Sequence, residues 1–137
     1  TMPQLFDKVS MRNDSVQWDF TSYQPDVVTV CLGQNDGVQD SAKFCLNYIS
    51  FIQQLRGYYP NAQIILLSSP MADARLNVFM KKTLTEVMKK VNKEGDKKVT
   101  TFFFAKQYNN GCDDHPDLAE HQQIQYFLPK TTNPTLN

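Results

Sequence analysis

The sequence predicts a three-layer α/β fold, a parallel sheet wound with helices on both faces. Short, continuous apolar runs rich in β-branched or aromatic residues recur at 27–32, 64–67 and 99–104. The stretches between them switch to apolar residues at three- and four-residue steps, the spacing of an amphipathic helix. A helix between two such strands crosses over the sheet and makes them parallel neighbours.

Val27-Val28-Thr29-Val30-Cys31-Leu32 reads as a strand buried on both faces and stops at Gly33. Asp40 or Ser41 caps a helix carrying Phe44, Tyr48, Phe51, Ile52, Leu55 and Tyr59, which Pro60 ends. A second buried strand spans 63–69 and is closed by Pro70. The next helix puts Leu76, Met80, Leu84, Val87 and Val91 on one face, with Gly95 as its C-terminal stop. Val99-Thr100-Thr101-Phe102-Phe103-Phe104 is the third strand. Asp117 and Glu120 have the spacing of a capping box and open a last helix running to about Leu128, with a loose tail from Pro129 to Asn137. Before Asp26 the pattern is weaker: a helical turn within 3–9, and an irregular segment from Val16 to Phe20 packing on the sheet edge.

At 137 residues the chain is one domain's worth or less, and its 41% hydrophobic and 12% aromatic content suffices for a packed core. Lys+Arg and Asp+Glu balance at 14 each, so neither composition nor charge points to a nucleic acid. The lysines at 81, 82, 89, 90, 93, 97 and 98 read as the solvated face of one helix and the turn after it. No apolar run reaches bilayer-spanning length, and Thr1-Met2-Pro3 opens directly onto mixed polar sequence without a signal-peptide pattern. Cys31, Cys45 and Cys112 have no metal-ligand spacing and suggest no disulfide framework; Cys31 and Cys45 read as small buried hydrophobes.

Ligands of open α/β sheets bind beyond the carboxyl ends of the strands. Two polar clusters fall there: Gly33-Gln34-Asn35-Asp36-Gly37 after the first strand, and Asn109 to Pro116 after the third. Asn35 suits an oxyanion hole, because an amide NH₂ donates to developing negative charge where a carboxylate would repel it. The same residues also suit an ordinary polar turn, with Asp36 tying the loop to backbone N–H groups. His115, one of two histidines, is the natural general base, since an imidazole can both take and return a proton. Asp113, two positions earlier, would direct its carboxylate to Nδ1 if the loop is extended, leaving Asp114 to face away; Pro116 favours extended backbone at His115. The alternative is a solvated acidic loop leading into a helix. His121 sits one turn into the last helix, where packing or loop bridging suits it better than catalysis. Cys112 is a minor candidate for a thiol nucleophile. None of the serines lies in a Gly-x-Ser-x-Gly or Gly-Asp-Ser setting, and Ser68 and Ser69 read as polar residues closing a strand.

Pro25-Asp26-Val27-Val28-Thr29-Val30-Cys31-Leu32-Gly33-Gln34-Asn35-Asp36 resembles the third conserved block of the SGNH (GDSL-type) hydrolases. Gly111-Cys112-Asp113-Asp114-His115-Pro116, followed by His121, resembles their final block. Trp18-Asp19-Phe20 and Arg56-Gly57-Tyr58-Tyr59-Pro60 make the chain most similar to carbohydrate esterase family two, whose members deacetylate xylan and related plant polysaccharides. The resemblance runs from about Trp18 to Leu128. It implies a flavodoxin-like α/β/α fold, an acetylated carbohydrate substrate, a Ser–His–(Asp) mechanism without metal or organic cofactor, and an extracellular or periplasmic location. Asn35 would be an oxyanion donor, His115 the base and Asp113 the orienting acid; some members of that family work with a Ser–His dyad.

The family's nucleophile lies in a Gly-Asp-Ser block at the end of the first strand, and a second donor is a glycine after the next; neither occurs in residues 1–25. Residues 1–137 are therefore expected to be the C-terminal portion of a single SGNH-type domain, inactive alone. The missing segment or another chain would cover the open sheet edge. A different reading is a non-catalytic α/β module binding carbohydrate or protein, with Trp18, Tyr23, Tyr108 and Tyr126 as candidate sugar-stacking rings. A flavodoxin-type phosphate or flavin binder fits poorly, because no Gly-rich cradle follows the first strand.

Overall fold

The computed structural model describes residues 2–10 and 12–132. A short helix, α1 (Met2–Leu5), is followed by the antiparallel pair β1 (Lys8–Ser10) and β2 (Asn13–Gln17). Then come β3 (Val27–Val30), α2 (Ser41–Tyr58), β4 (Gln63–Leu67), α3 (Ala74–Lys93), β5 (Val99–Phe102) and α4 (Leu118–Thr132). Strands β3, β4 and β5 form a parallel sheet in that order, with Val28 opposite Ile64 and Ile64 opposite Val99.

Two successive crossovers in one direction along a sheet place their helices on the same face. Accordingly α2 contributes Phe44, Tyr48, Ile49, Phe51, Ile52 and Leu55, and α3 contributes Leu76, Met80, Leu84, Val87 and Val91, to one core cluster with Val30, Ile64, Leu66 and Val99. Ile65 and Leu67 point the other way along β4 and are buried too, so the central strand is covered on both faces.

The first strand departs from expectation. Val30 is buried, but Val27 and Val28 are half-buried and Thr29 is exposed, so β3 is not buried on both faces. It is an edge strand, paired among the described residues only with β4. Its burial depends on what lies beside it, which the strand's own residues do not encode.

The helix boundaries follow their caps. Asp40 Oδ1 accepts from Lys43 N at 2.7 Å and Asp73 Oδ1 from Leu76 N at 2.7 Å. Gly95 takes the left-handed conformation that ends α3 (φ +115°). Asp117 and Glu120 form the reciprocal pair expected of them: Glu120 N donates to Asp117 Oδ1 at 2.8 Å, and Asp117 N to Glu120 Oε2 at 3.2 Å. The last helix runs further than expected, its backbone remaining helical past Pro129 to Thr132; the rest of the expected loose tail, 133–137, lies outside the described residues. Beyond Leu67 one more backbone bond joins the strands, Ser68 N donating to Phe102 O at 3.1 Å, before a side chain takes over and Phe104 N donates to Ser68 Oγ at 3.0 Å.

The hairpin of β1 and β2 was not expected, since Lys-Val-Ser is too short to show a period and Asn-Asp-Ser-Val-Gln holds a single apolar residue. The segment after it packs on α2 rather than on the sheet edge. Phe20 stacks on Tyr58 (centroids 3.7 Å apart), and Phe6 lies 5.3 Å from Phe20 and 5.6 Å from Phe51. Among the described residues, no helix is long and apolar enough to cross a membrane.

Candidate active site

Both polar clusters emerge at the carboxyl ends of the parallel strands. After β3 the chain turns at Gly33, which is buried at φ +111°; a Cβ there would meet the Phe44 ring at 3.1 Å, so the turn lies directly on α2. Gly37 N donates to Gln34 O at 3.4 Å, closing the turn that carries Asn35 at its exposed tip. That bond does what the Asp36 carboxylate was expected to do. Among the described residues Asp36 makes no such tie.

The loop between β5 and α4 is anchored at several points. Tyr108 N donates to Pro70 O at 2.8 Å, and its ring is buried 5.9 Å from that of Phe104. Gly111 N donates to His115 O at 2.7 Å, and His115 N to Cys112 O at 3.1 Å. Between them Asp113 (φ +52°) and Asp114 (φ +57°) both adopt left-handed backbone, while His115 is extended (φ −92°, ψ 161°), as a residue before proline must be.

The left-handed pair changes how the histidine is held. In an extended loop the Asp113 carboxylate would lie beside Nδ1; with residue 113 turned over, its main-chain oxygen does so instead, 2.8 Å from His115 Nδ1. A carbonyl oxygen can only accept, so this contact requires the proton on Nδ1 and leaves the Nε2 lone pair unencumbered.

Asn35 and His115 line one cavity of about 620 Å³, together with Asp113 and Asp114. Asp114, expected to face away, lines the same cavity. The segment after β4, the central strand, lines the cavity as well through Asp73 and the exposed Arg75, a contribution with no signal in the sequence. Asn35 further borders a second cavity, of about 680 Å³, between α1, the β3–α2 loop and α2.

The remaining candidates lie elsewhere. Ser68 and Ser69 are buried, with Ser69 Oγ accepting from Met71 N at 3.1 Å, and among the described residues no serine lines the cavity of Asn35 and His115. Cys112 and His121 are exposed and line neither cavity. Cys31 is exposed at the β3 edge rather than buried; its Sγ turns against Ser68 O at 3.7 Å, where desolvation raises the thiol pKa and holds it protonated. Trp18, Tyr23 and Tyr126 are exposed.

Gly111, to which the sequence gives no role beyond its place in the histidine block, shapes the site. A Cβ there would stand 2.8 Å from His115 O and 3.1 Å from Pro116 O. Gly111→Ala should therefore push the loop open and release the imidazole, seen as tautomer mixing in its ¹⁵N spectrum. Gly57→Ala, where nothing lies within 4 Å of an added Cβ, should leave that spectrum unchanged.

No family model matches the chain. It is 36% identical over 113 residues, 78% of its length, to cellulase/esterase CelE of Acetivibrio thermocellus, of which it spans 14%. It is 24% identical over 110 residues, 77% of its length, to an acetylxylan esterase/glucomannan deacetylase of Cellvibrio japonicus, of which it spans 29%. Its fold superposes with a TM-score of 0.80 and 34% identity on a family two carbohydrate esterase from Clostridium thermocellum solved with cellohexaose, covering 89% of this chain and 39% of that one. A family two carbohydrate esterase from Cellvibrio japonicus superposes with a TM-score of 0.86 at 19% identity, covering 96% of this chain and 41% of that one; this match speaks for the fold alone.

Proposed function

Because the homologues and structural neighbours of this chain are family two carbohydrate esterases, which are SGNH hydrolases, we propose that it is the C-terminal portion of a single SGNH-type domain in a carbohydrate esterase. The substrate is an acetylated polysaccharide, and the reaction is hydrolysis of its acetyl ester. The observation that supports this best is the convergence of Asn35 and His115, from loops after different strands, on one cavity at the carboxyl end of the sheet.

The chemistry follows from what each group can do. A serine hydroxyl supplied from the rest of the protein attacks the acetyl carbonyl carbon. His115 Nε2 takes the hydroxyl proton while Nδ1–H stays on the Asp113 carbonyl. The Asn35 side-chain NH₂ donates to the oxyanion of the tetrahedral intermediate. As the intermediate collapses, the C–O bond to the sugar breaks and His115 returns the proton to the sugar oxygen. Water then attacks the acetyl-serine with His115 again as base, freeing acetate and restoring the hydroxyl. Asp113 acts here through its main-chain oxygen. Every step uses only the protein's own groups and water.

An aryl acetate assay tests the proposal with two proteins, residues 1–137 alone and a longer form that includes the upstream segment. The longer form should turn over, while 1–137 should stay at background because it brings the base and the oxyanion donor without the attacking hydroxyl. Equal turnover by the two would refute the division of the site.

A second reading, carbohydrate binding without catalysis, is favoured by the exposed rings of Trp18 and Tyr23. Oligosaccharide binding by the longer form with no esterase activity would select it.

A further inference from the structure

We propose that Glu120 is the positioning residue for His115, fixing the imidazole through the backbone of its loop; this rests on the reading of His115 as the general base. Glu120 is the sole buried charged side chain among the described residues, 3% exposed. It does not line the cavity of Asn35 and His115, so it acts through other residues.

Capping the first turn of α4 requires only the reciprocal bond with Asp117, and a solvated carboxylate would make it. Glu120 does more. Its Oε1 accepts from Asn110 Nδ2 at 2.9 Å, and its Oε2 accepts from Asn110 N at 2.9 Å as well as from Asp117 N at 3.2 Å. Residues 110 and 117 bracket the histidine loop, so one carboxylate closes both of its ends. Inside the bracket Gly111 N holds His115 O, and Asp113 O holds Nδ1.

Burying a carboxylate is unfavourable unless donors satisfy it, and three N–H donors converge on this one. Two consecutive left-handed aspartates are also unfavourable, and such backbone persists only where its surroundings over-determine it. The Glu120 clamp supplies that constraint. Without it, residues 113 and 114 relax toward ordinary backbone and the Asp113 carbonyl leaves Nδ1.

The test compares Glu120→Ala, Glu120→Gln and Asn110→Asp in the longer esterase, with His115→Ala as reference. Glu120→Ala should lower kcat by about 10²-fold, the cost of an ångström-scale misplacement, while KM stays nearly unchanged. It should also bring tautomer mixing to the His115 ¹⁵N spectrum of residues 1–137, a readout independent of turnover. Glu120→Gln should recover most of kcat. Its amide oxygen can accept from Asn110 N and Asp117 N, and a flipped Asn110 amide can accept from its NH₂. Should Glu120→Ala not fold, Asn110→Asp decides, because it sets a second carboxylate against Glu120 at a solvent-exposed position and must produce the same loss of kcat. Folded variants that keep both kcat and a single tautomer, while His115→Ala is inactive, would overturn the positioning role alone. Full activity in His115→Ala would instead overturn the assignment of the base.

Discussion

Replacing His115 by alanine in the longer esterase is expected to lower kcat on an aryl acetate by on the order of 10⁴-fold or more, the largest effect of any single change in this chain. The imidazole serves both chemical steps, so its loss removes proton transfer from attack and from departure of the sugar. KM should move little, because the ring contacts the reacting atoms rather than the body of the polysaccharide. The contrast with Asp113 is as informative. Where a carboxylate orients the histidine, converting it to an amide costs about 10⁴-fold. Here the main-chain oxygen of residue 113 meets Nδ1, and asparagine tolerates the left-handed backbone found there, so Asp113→Asn should cost less than about tenfold. Asp113→Val, whose branched Cβ opposes φ +52°, should lose far more than Asp113→Asn although both remove the same charge. Parallel steady-state kinetics on the three variants checks this order. A loss with Asp113→Asn as deep as with His115→Ala would restore the carboxylate to the mechanism.

Asn35→Ala is expected to lower kcat by about 10²–10³-fold, the usual cost of one oxyanion donor. The amide is aimed at where charge develops, so the loss should fall on kcat and leave KM almost unchanged. Asn35→Asp should be worse than alanine, since a carboxylate at that place repels the oxyanion as well as failing to donate. The exposed tip between Gly33 and Gly37 carries no part of the core, so both variants should melt with the parent. Equal activity in Asn35→Ala and the parent would remove this residue from the site.

Much of the scaffold is legible in the residues themselves. The apolar stripe from Leu76 to Val91 is the buried face of α3, and Asp40 and Gly95 mark helix ends by local chemistry that needs no tertiary knowledge. The meeting of the two loops is legible as well, because parallel strands joined by helical crossovers deliver their carboxyl ends to one side.

Non-local facts are not legible. The contact of Phe20 with Tyr58 joins segments far apart in the chain, and no periodicity announces it. The exposure of Thr29 depends on the neighbour of an edge strand. How the histidine is held depends on two aspartates taking a conformation their residue type disfavours, under constraint from Gly111 on one side and Glu120 on the other. The close approach of Gly111 to His115 O has no signal beyond a glycine in a loop. Glu120 was visible as a helix cap, but its second set of donors on Asn110 was not.

The most direct measurement is a crystal structure of the longer esterase trapped with a phosphonate ester, whose tetrahedral phosphorus imitates the intermediate. The account predicts a phosphonyl oxygen at about 3 Å from Asn35 Nδ2, with His115 Nε2 within reach of the esterified serine oxygen and Nδ1 still on the Asp113 carbonyl. A phosphonate bound away from this cavity, or an Asn35 amide turned from the phosphonyl oxygen, would contradict it.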